Sequence, residues 1–286
     1  MKRYSLLLLA LILIACEEEI EYEIPDPGAR IVIDGSLENG RRASFFISES
    51  VYSMSNDIPA TRNDFNVALK SNDTNALIIL QPFEISDFEP RWVYNSFELI
   101  EADKTYHLVV NDSVLPEAEV MVRVPLEPIL RSTSYDKDSR DVDFEIRDNG
   151  EQRNFYMLTV EKLNGDRLYF STLDAIMEFL EFDIFIGDEF DGRYFGDRCF
   201  FTDEVFDGKT RKFNIRVDEF NQLQSGETFN LRVHNISESF YRHEITKAAY
   251  FSSDGFFSEP VQIHSNIEGG YGIVRASSSS IQSFRF

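Results

Sequence analysis

The chain has 286 residues, with 50 acidic side chains against 28 basic ones and a net charge of −22. Such a charge repels nucleic acid and anionic surfaces, which excludes polyanion binding. Hydrophobic residues make up 43% and aromatics 14%, enough to bury a core in a chain long enough for two domains.

Lys2 and Arg3 precede an unbroken apolar run at 6–14. A membrane-spanning helix needs about 20 apolar residues, so this run is too short to span and has the proportions of a secretory h-region. The LIAC stretch that follows resembles the bacterial lipobox. That resemblance makes 1–15 a lipoprotein signal peptide and Cys16 the lipidated first mature residue. Two or three acyl chains hold a protein stably on a membrane. Glu17, Glu18 and Glu19 then begin an acidic tether, 16–28. Anionic headgroups repel such a tether, so it stands away from the membrane. A cysteine followed by an acidic cluster also resembles the export signal of Bacteroidota lipoproteins that reach the cell surface. The expected location is the outer membrane, lipid-anchored and facing outward.

From residue 29 the chain alternates apolar and polar residues in short runs: RIVIDGSL, ASFFISES, FNVALKS, ALIILQ, TYHLVVND and EVMVRVP. Turn signals such as Asn39-Gly40 and Asp103-Lys104 separate them. Regular short strands of this kind predict an all-β fold of two Ig/fibronectin-III-like β-sandwich domains. Pro125 and Pro128 mark the boundary, giving a first domain at 29–125 and a second at 126–286. The second contains VDFEIRD, NFYMLTVEKL, RLYFST, KFNIRV and TFNLRVHN, with an Asn164-Gly165 hairpin turn. The stretches 102–112 and 225–235 share a layout of turn, Thr, aromatic and alternating apolar residues. In sandwich domains a Tyr at this corner bonds back to the backbone, and Tyr106 is placed to do so. One short helix is predicted at 237–251, with Asn235 and Glu238 spaced as a capping box.

Residues 173–208 read as a long insertion thick with aromatics and acids. Aromatics on a long loop are typical anchors for protein partners, which singles out Phe185, Phe190, Tyr194 and Phe195. Clustered carboxylates on loops suit calcium, with Asp188, Asp191 and Asp197 as the candidate ligands, although no EF-hand spacing is present. No other cofactor is suggested.

Catalytic signatures do not survive inspection. His243-Glu244 begins like a zinc-protease helix, but Lys247 stands where the second His ligand is required. No nucleophile elbow, phosphate loop or dinucleotide fingerprint occurs. If Cys16 is lipidated, Cys199 has no disulfide partner; between aromatics it reads as a buried, inert thiol. The expectation is a protein that is not an enzyme.

Several stretches together resemble the Bacteroidota lipoproteins of domain of unknown function 4249. They are the lipobox and tether, RIVIDGSL, DKTYHLVV, FFTDEVFDGKTRKFNI, and above all FSEPVQIHSNIEGGYGIVRASS. The resemblance implies an all-β outer-membrane lipoprotein encoded near TonB-dependent receptors, and it brings no catalytic residues. The expected role is a non-catalytic accessory subunit of an outer-membrane β-barrel, with a TonB-dependent transporter as partner and other surface lipoproteins as neighbours. The alternatives are a structural subunit of an outer-membrane assembly or secretion machine, and a surface glycan binder or hydrolase.

Overall fold

The computed structural model describes residues 28–52, 59–85, 91–180, 194–218, 221, 223–252 and 261–286. In chain order the first half forms β1 (Ile31–Glu38), β2 (Arg42–Glu49), β3 (Asn66–Ser71), β4 (Ala76–Ile78), β5 (Leu80–Ile85), β6 (Arg91–Leu99), β7 (Thr105–Asn111) and β8 (Ala118–Arg123). The second half forms β9 (Ile129–Tyr135), β10 (Asp141–Arg147), β11 (Phe155–Lys162), β12 (Arg167–Leu168), β13 (Phe170–Thr172), β14 (Tyr194–Gly196), β15 (Arg198–Thr202), β16 (Thr210–Val217) and β17 (Thr228–Ile236). The helix α1 (Glu238–Ser252) and the long strand β18 (Tyr271–Arg285) follow. The protein is all-β with a single helix near its C-terminal end among the described residues, as the sequence predicts.

Alternation explains most strands. In β1, Ile31, Ile33 and Leu37 point inward while Asp34 faces solvent. The strand β11 is different: Phe155 to Val160 are buried without a break. Its inner face joins the second core, and its outer face is covered by α1. A strand buried on both faces reads as a continuous apolar run, which is why FYMLTV lacks alternation.

The backbone of the architecture is a nine-stranded sheet ordered β12-β11-β17-β18-β1-β2-β6-β5, with β15 also paired to β11. A four-stranded sheet, β4-β3-β7-β8, packs on one half of it, and a five-stranded sheet, β14-β13-β16-β10-β9, on the other. Two sandwiches therefore share one sheet. The strand β18 is the shared piece. Its first half runs parallel to β1, from Tyr271 opposite Val32 to Ser277 opposite Glu38. Its second half runs antiparallel to β17, from Ser277 opposite Ile236 to Arg285 opposite Thr228. Residues Ile267, Val274 and Ala276 pack in the first core, although the sequence boundary groups them with the second domain.

Two expectations are corrected locally. The helix is capped by Ser237, whose Oγ accepts from the Phe240 amide, while Asn235 lies within β17. Residues 194–208 are not a free insertion: they carry β14 and β15, and Phe200, Phe201 and Phe206 are buried. Other readings hold. Tyr106 Oη accepts from the Glu101 amide at 2.9 Å, closing the expected tyrosine corner. Cys199 is fully buried, and burial pushes its thiol well above the usual range, so it is unreactive.

Candidate functional site

The two sandwiches meet where residues 125–128 cross β18, and the chain fastens this crossing with side chains. Ser278 Oγ donates to the Pro125 carbonyl and Ser280 Oγ to the Pro128 carbonyl. Asn235 Nδ2 donates to the Leu126 carbonyl at 3.0 Å, and Asn39 Nδ2 to Glu127 Oε1 at 2.7 Å. The small serines of the Ser277–Ser280 run let the linker lie close to the sheet while meeting its carbonyls. Each such bond contributes about 1 kcal/mol, and leaving a buried carbonyl unmet costs more.

Beside this crossing lies a cleft of about 380 Å³. Its apolar wall is Leu126, Pro128 and Ile129; its polar lining includes Glu127, Arg147, Asn149, Asn154 and Asn235. Clefts between domains of this size are where small ligands are usually held.

Behind the cleft sits an acid cluster, Asp148, Asp203 and Asp207, with carboxylate oxygens within 4.8 Å of one another. Asp148 is buried and fully engaged. Its Oδ1 accepts from Asn154 Nδ2 at 2.7 Å and Tyr156 Oη at 3.1 Å; its Oδ2 accepts from the amides of Gly150 and Gly208 at 2.8 and 2.7 Å. Asp203 Oδ2 accepts from the Asn154 amide at 2.6 Å. Burial raises the Asp203 carboxyl above its ordinary range, and the nearby Asp148 charge adds to this. Burial, with Asp148 alongside, also raises the Tyr156 phenol, which stays protonated as a donor. With four donors on Asp148, this cluster serves as a fastening for loops rather than as an open cation cradle.

The third feature is an apolar sheet face at the far edge of the first sandwich. Across β5 and β6, Phe83 pairs with Val93, Ile85 with Arg91 and Gln81 with Asn95. Paired residues share a face. The other face supplies Leu80 and Tyr94 to the first core; on this one Val93 is buried, but Phe83 and Ile85 are exposed. Phe97 and Leu99 continue it along β6. Phe83, Ile85, Phe97 and Leu99 are between 42% and 57% exposed. Among these outward residues there is no carboxylate, in a chain with 50. Ile79, where the chain crosses from one sheet to the other, extends the apolar surface around the edge.

A family model described as domain of unknown function 4249 (DUF4249) matches residues 17–283. The chain belongs to the DUF4249 family. No curated protein matches it. Among solved structures it is similar to the Enterococcus faecalis MSCRAMM ACE, described as binding its ligands by the collagen hug model. The identity is 8%, covering 88% of this chain and 93% of that one, with a TM-score of 0.21, too low to bear on fold or function.

The sequence-predicted site residues of this DUF4249 protein are scattered. Cys16, Glu17, Glu18, Glu19, Phe185, Phe190, Asp188 and Asp191 lie outside the described residues. Tyr194 is on β14. Phe195 is half-buried, its ring stacked on Tyr169 at 5.6 Å. Asp197 is ion-paired with Arg167 at 3.5 Å instead of joining other carboxylates, and the acids that do cluster are Asp148, Asp203 and Asp207. In the abandoned zinc motif, His243 Nδ1 contacts the His264 carbonyl and Glu244 is buried against Arg198. Sequence reading missed both the cleft and the β5–β6 face. The face did carry a signal: 76–80 reads ALIIL, apolar in both phases of a strand, so one phase had to face outward.

Proposed function

We propose that this DUF4249 protein is a lipid-anchored, non-catalytic accessory subunit on the outer face of the outer membrane. It docks on an outer-membrane β-barrel, and a TonB-dependent transporter is the partner that fits the family resemblance. The observation that supports docking is the exposed apolar face of β5 and β6. Contiguous apolar surface on an otherwise acidic protein marks an interaction site, and aromatic anchors such as Phe83 and Phe97 carry much of the energy of such contacts. Lipid at Cys16 confines the protein to the membrane plane, which raises its effective concentration near a barrel without any new contact.

The test is co-purification. The lipidated protein is isolated in mild detergent and its companions identified by mass spectrometry. A barrel protein should accompany the native chain and be lost from a Phe83→Asp/Phe97→Asp variant, whose two sites are exposed and outside the core. A variant that keeps its companion refutes docking by this face. Failure of labelled palmitate to enter the protein refutes the anchor separately. Loss of many outer-membrane proteins on deletion of the gene would favour the assembly-machine reading over a transporter.

A further inference from the structure

We propose that the cleft between the two sandwiches binds an extended peptide segment bearing an aliphatic side chain. Four observations on its lining point there. The first is a preformed wall: the carbonyls of Pro125, Leu126 and Pro128 are each held by a side chain of the opposite strands, so the linker cannot fold back to close the cleft. The second is that this fixed wall leaves Leu126 and Ile129 40% and 45% exposed, and among the described residues neither belongs to a hydrophobic cluster. A preorganised apolar wall lowers the cost of ordering a ligand against it.

The third observation is unused hydrogen-bonding capacity. Asn235 Nδ2 is spent on the Leu126 carbonyl and Asn154 Oδ1, while among the described residues nothing donates to its Oδ1. Arg147, paired with Ile129 across β9 and β10, makes no ion pair among the described residues. The cleft thus offers an acceptor, and a strong donor beside its aliphatic surface. A peptide unit supplies the complement: its N–H meets Asn235 Oδ1, its carbonyl meets the Arg147 guanidinium, and its side chain lies on Leu126 and Ile129. The fourth observation separates peptide from sugar. Saccharides present a C–H face that packs on an exposed aromatic ring; here the one aromatic in the lining, Tyr156, is buried and its hydroxyl is given to Asp148. The two carboxylates in the lining both already accept hydrogen bonds, Asp148 from four donors and Glu127 from Asn39 Nδ2.

The experiment is fluorescence polarisation on the detergent-purified protein with a fluorescein-labelled Gly-Leu-Leu-Gly peptide, with cellobiose as competitor. Saturable binding is expected. Leu126→Asp should abolish it, and Arg147→Gln should weaken it about tenfold, the loss of roughly one charged hydrogen bond. Both positions are exposed, and unchanged melting of each variant shows that the fold is intact; Ile129→Asp replaces either one that melts early. The proposal is overturned if the peptide shows no saturable binding at millimolar concentration, if all three variants bind as the native chain does, or if cellobiose displaces the peptide.

Discussion

Asp148 shows what this protein does with an acid that it buries. Four donors converge on one carboxylate from three separate parts of the chain: Gly150 nearby, Asn154 and Tyr156 at the start of β11, and Gly208 before β16. Removing it leaves two buried donors, Asn154 Nδ2 and Tyr156 Oη, and two part-buried amides without an acceptor, the buried ones being the costly ones to strand. Asp148→Ala should therefore lose about 3 kcal/mol in urea unfolding. Its neighbour Asp203 has the opposite sign. Burial raises its carboxyl, so the stability it contributes is present at low pH and is lost as pH rises through that raised value. Asp203→Asn keeps an acceptor for the Asn154 amide and carries no charge. It should be more stable than the native chain at neutral pH, with the advantage vanishing in acid. An Asp203→Asn curve parallel to the native one across pH would contradict the assignment. None of this was visible in the sequence. With 50 acids, the three that meet in space are marked by no spacing, because the contacts among 148, 203 and 207 are made by the fold.

At the scale of elements, β18 is the informative strand. The EGGYG run before and within it belongs to the most specific stretch of the family resemblance, FSEPVQIHSNIEGGYGIVRASS. The structure adds the reason for its glycines. At Gly272, φ is +106°, and a Cβ there would overlap the Ile33 carbonyl oxygen; at Gly270 it would press on the Ile31 carbonyl. Here β18 enters the sheet so close to β1 that a side chain has no room. Gly272→Ala should cost about 3 kcal/mol or more, from backbone strain and the displaced β1 together. Recovery of soluble, natively melting protein would count against this account. The strand also marks where sequence reading stops. Alternation located β1, β2, β7, β10 and β17 to within a residue or two, and Tyr106 announced its corner. The tail, however, reads as separate extended pieces, because nothing local says that one strand serves two partners, β1 and then β17. That fact depends on contacts more than two hundred residues apart, as between Asp34 and Arg275. The cleft was hidden for the same reason: Leu126, Arg147 and Asn235 belong to three elements that only the crossing at 125–128 brings together.

For the whole molecule, the shared sheet decides how the two sandwiches behave. Domains joined by a linker alone unfold separately, and their interfaces resemble transient contacts. Here β18 contributes Val274 and Ala276 to the first core while Phe284 packs against the second, and the linker is tied down along its length. Unfolding either half strips one side of the same strand. The protein should therefore unfold in a single transition. It carries its own probe for this: the one tryptophan, Trp92, lies on β6 in the first sandwich. Phe229 lies in the other core, fully buried against Phe284 and Tyr135. Phe229→Ala should cost about 3–5 kcal/mol by emptying that volume. If the halves are one cooperative unit, the urea midpoint read by Trp92 fluorescence moves down with the midpoint read by far-ultraviolet circular dichroism, although Trp92 is far from the substitution along the sheet. A Trp92 midpoint that stays at its native value while circular dichroism shows an earlier step would mean that the two sandwiches fold independently, with β18 only a tie between them.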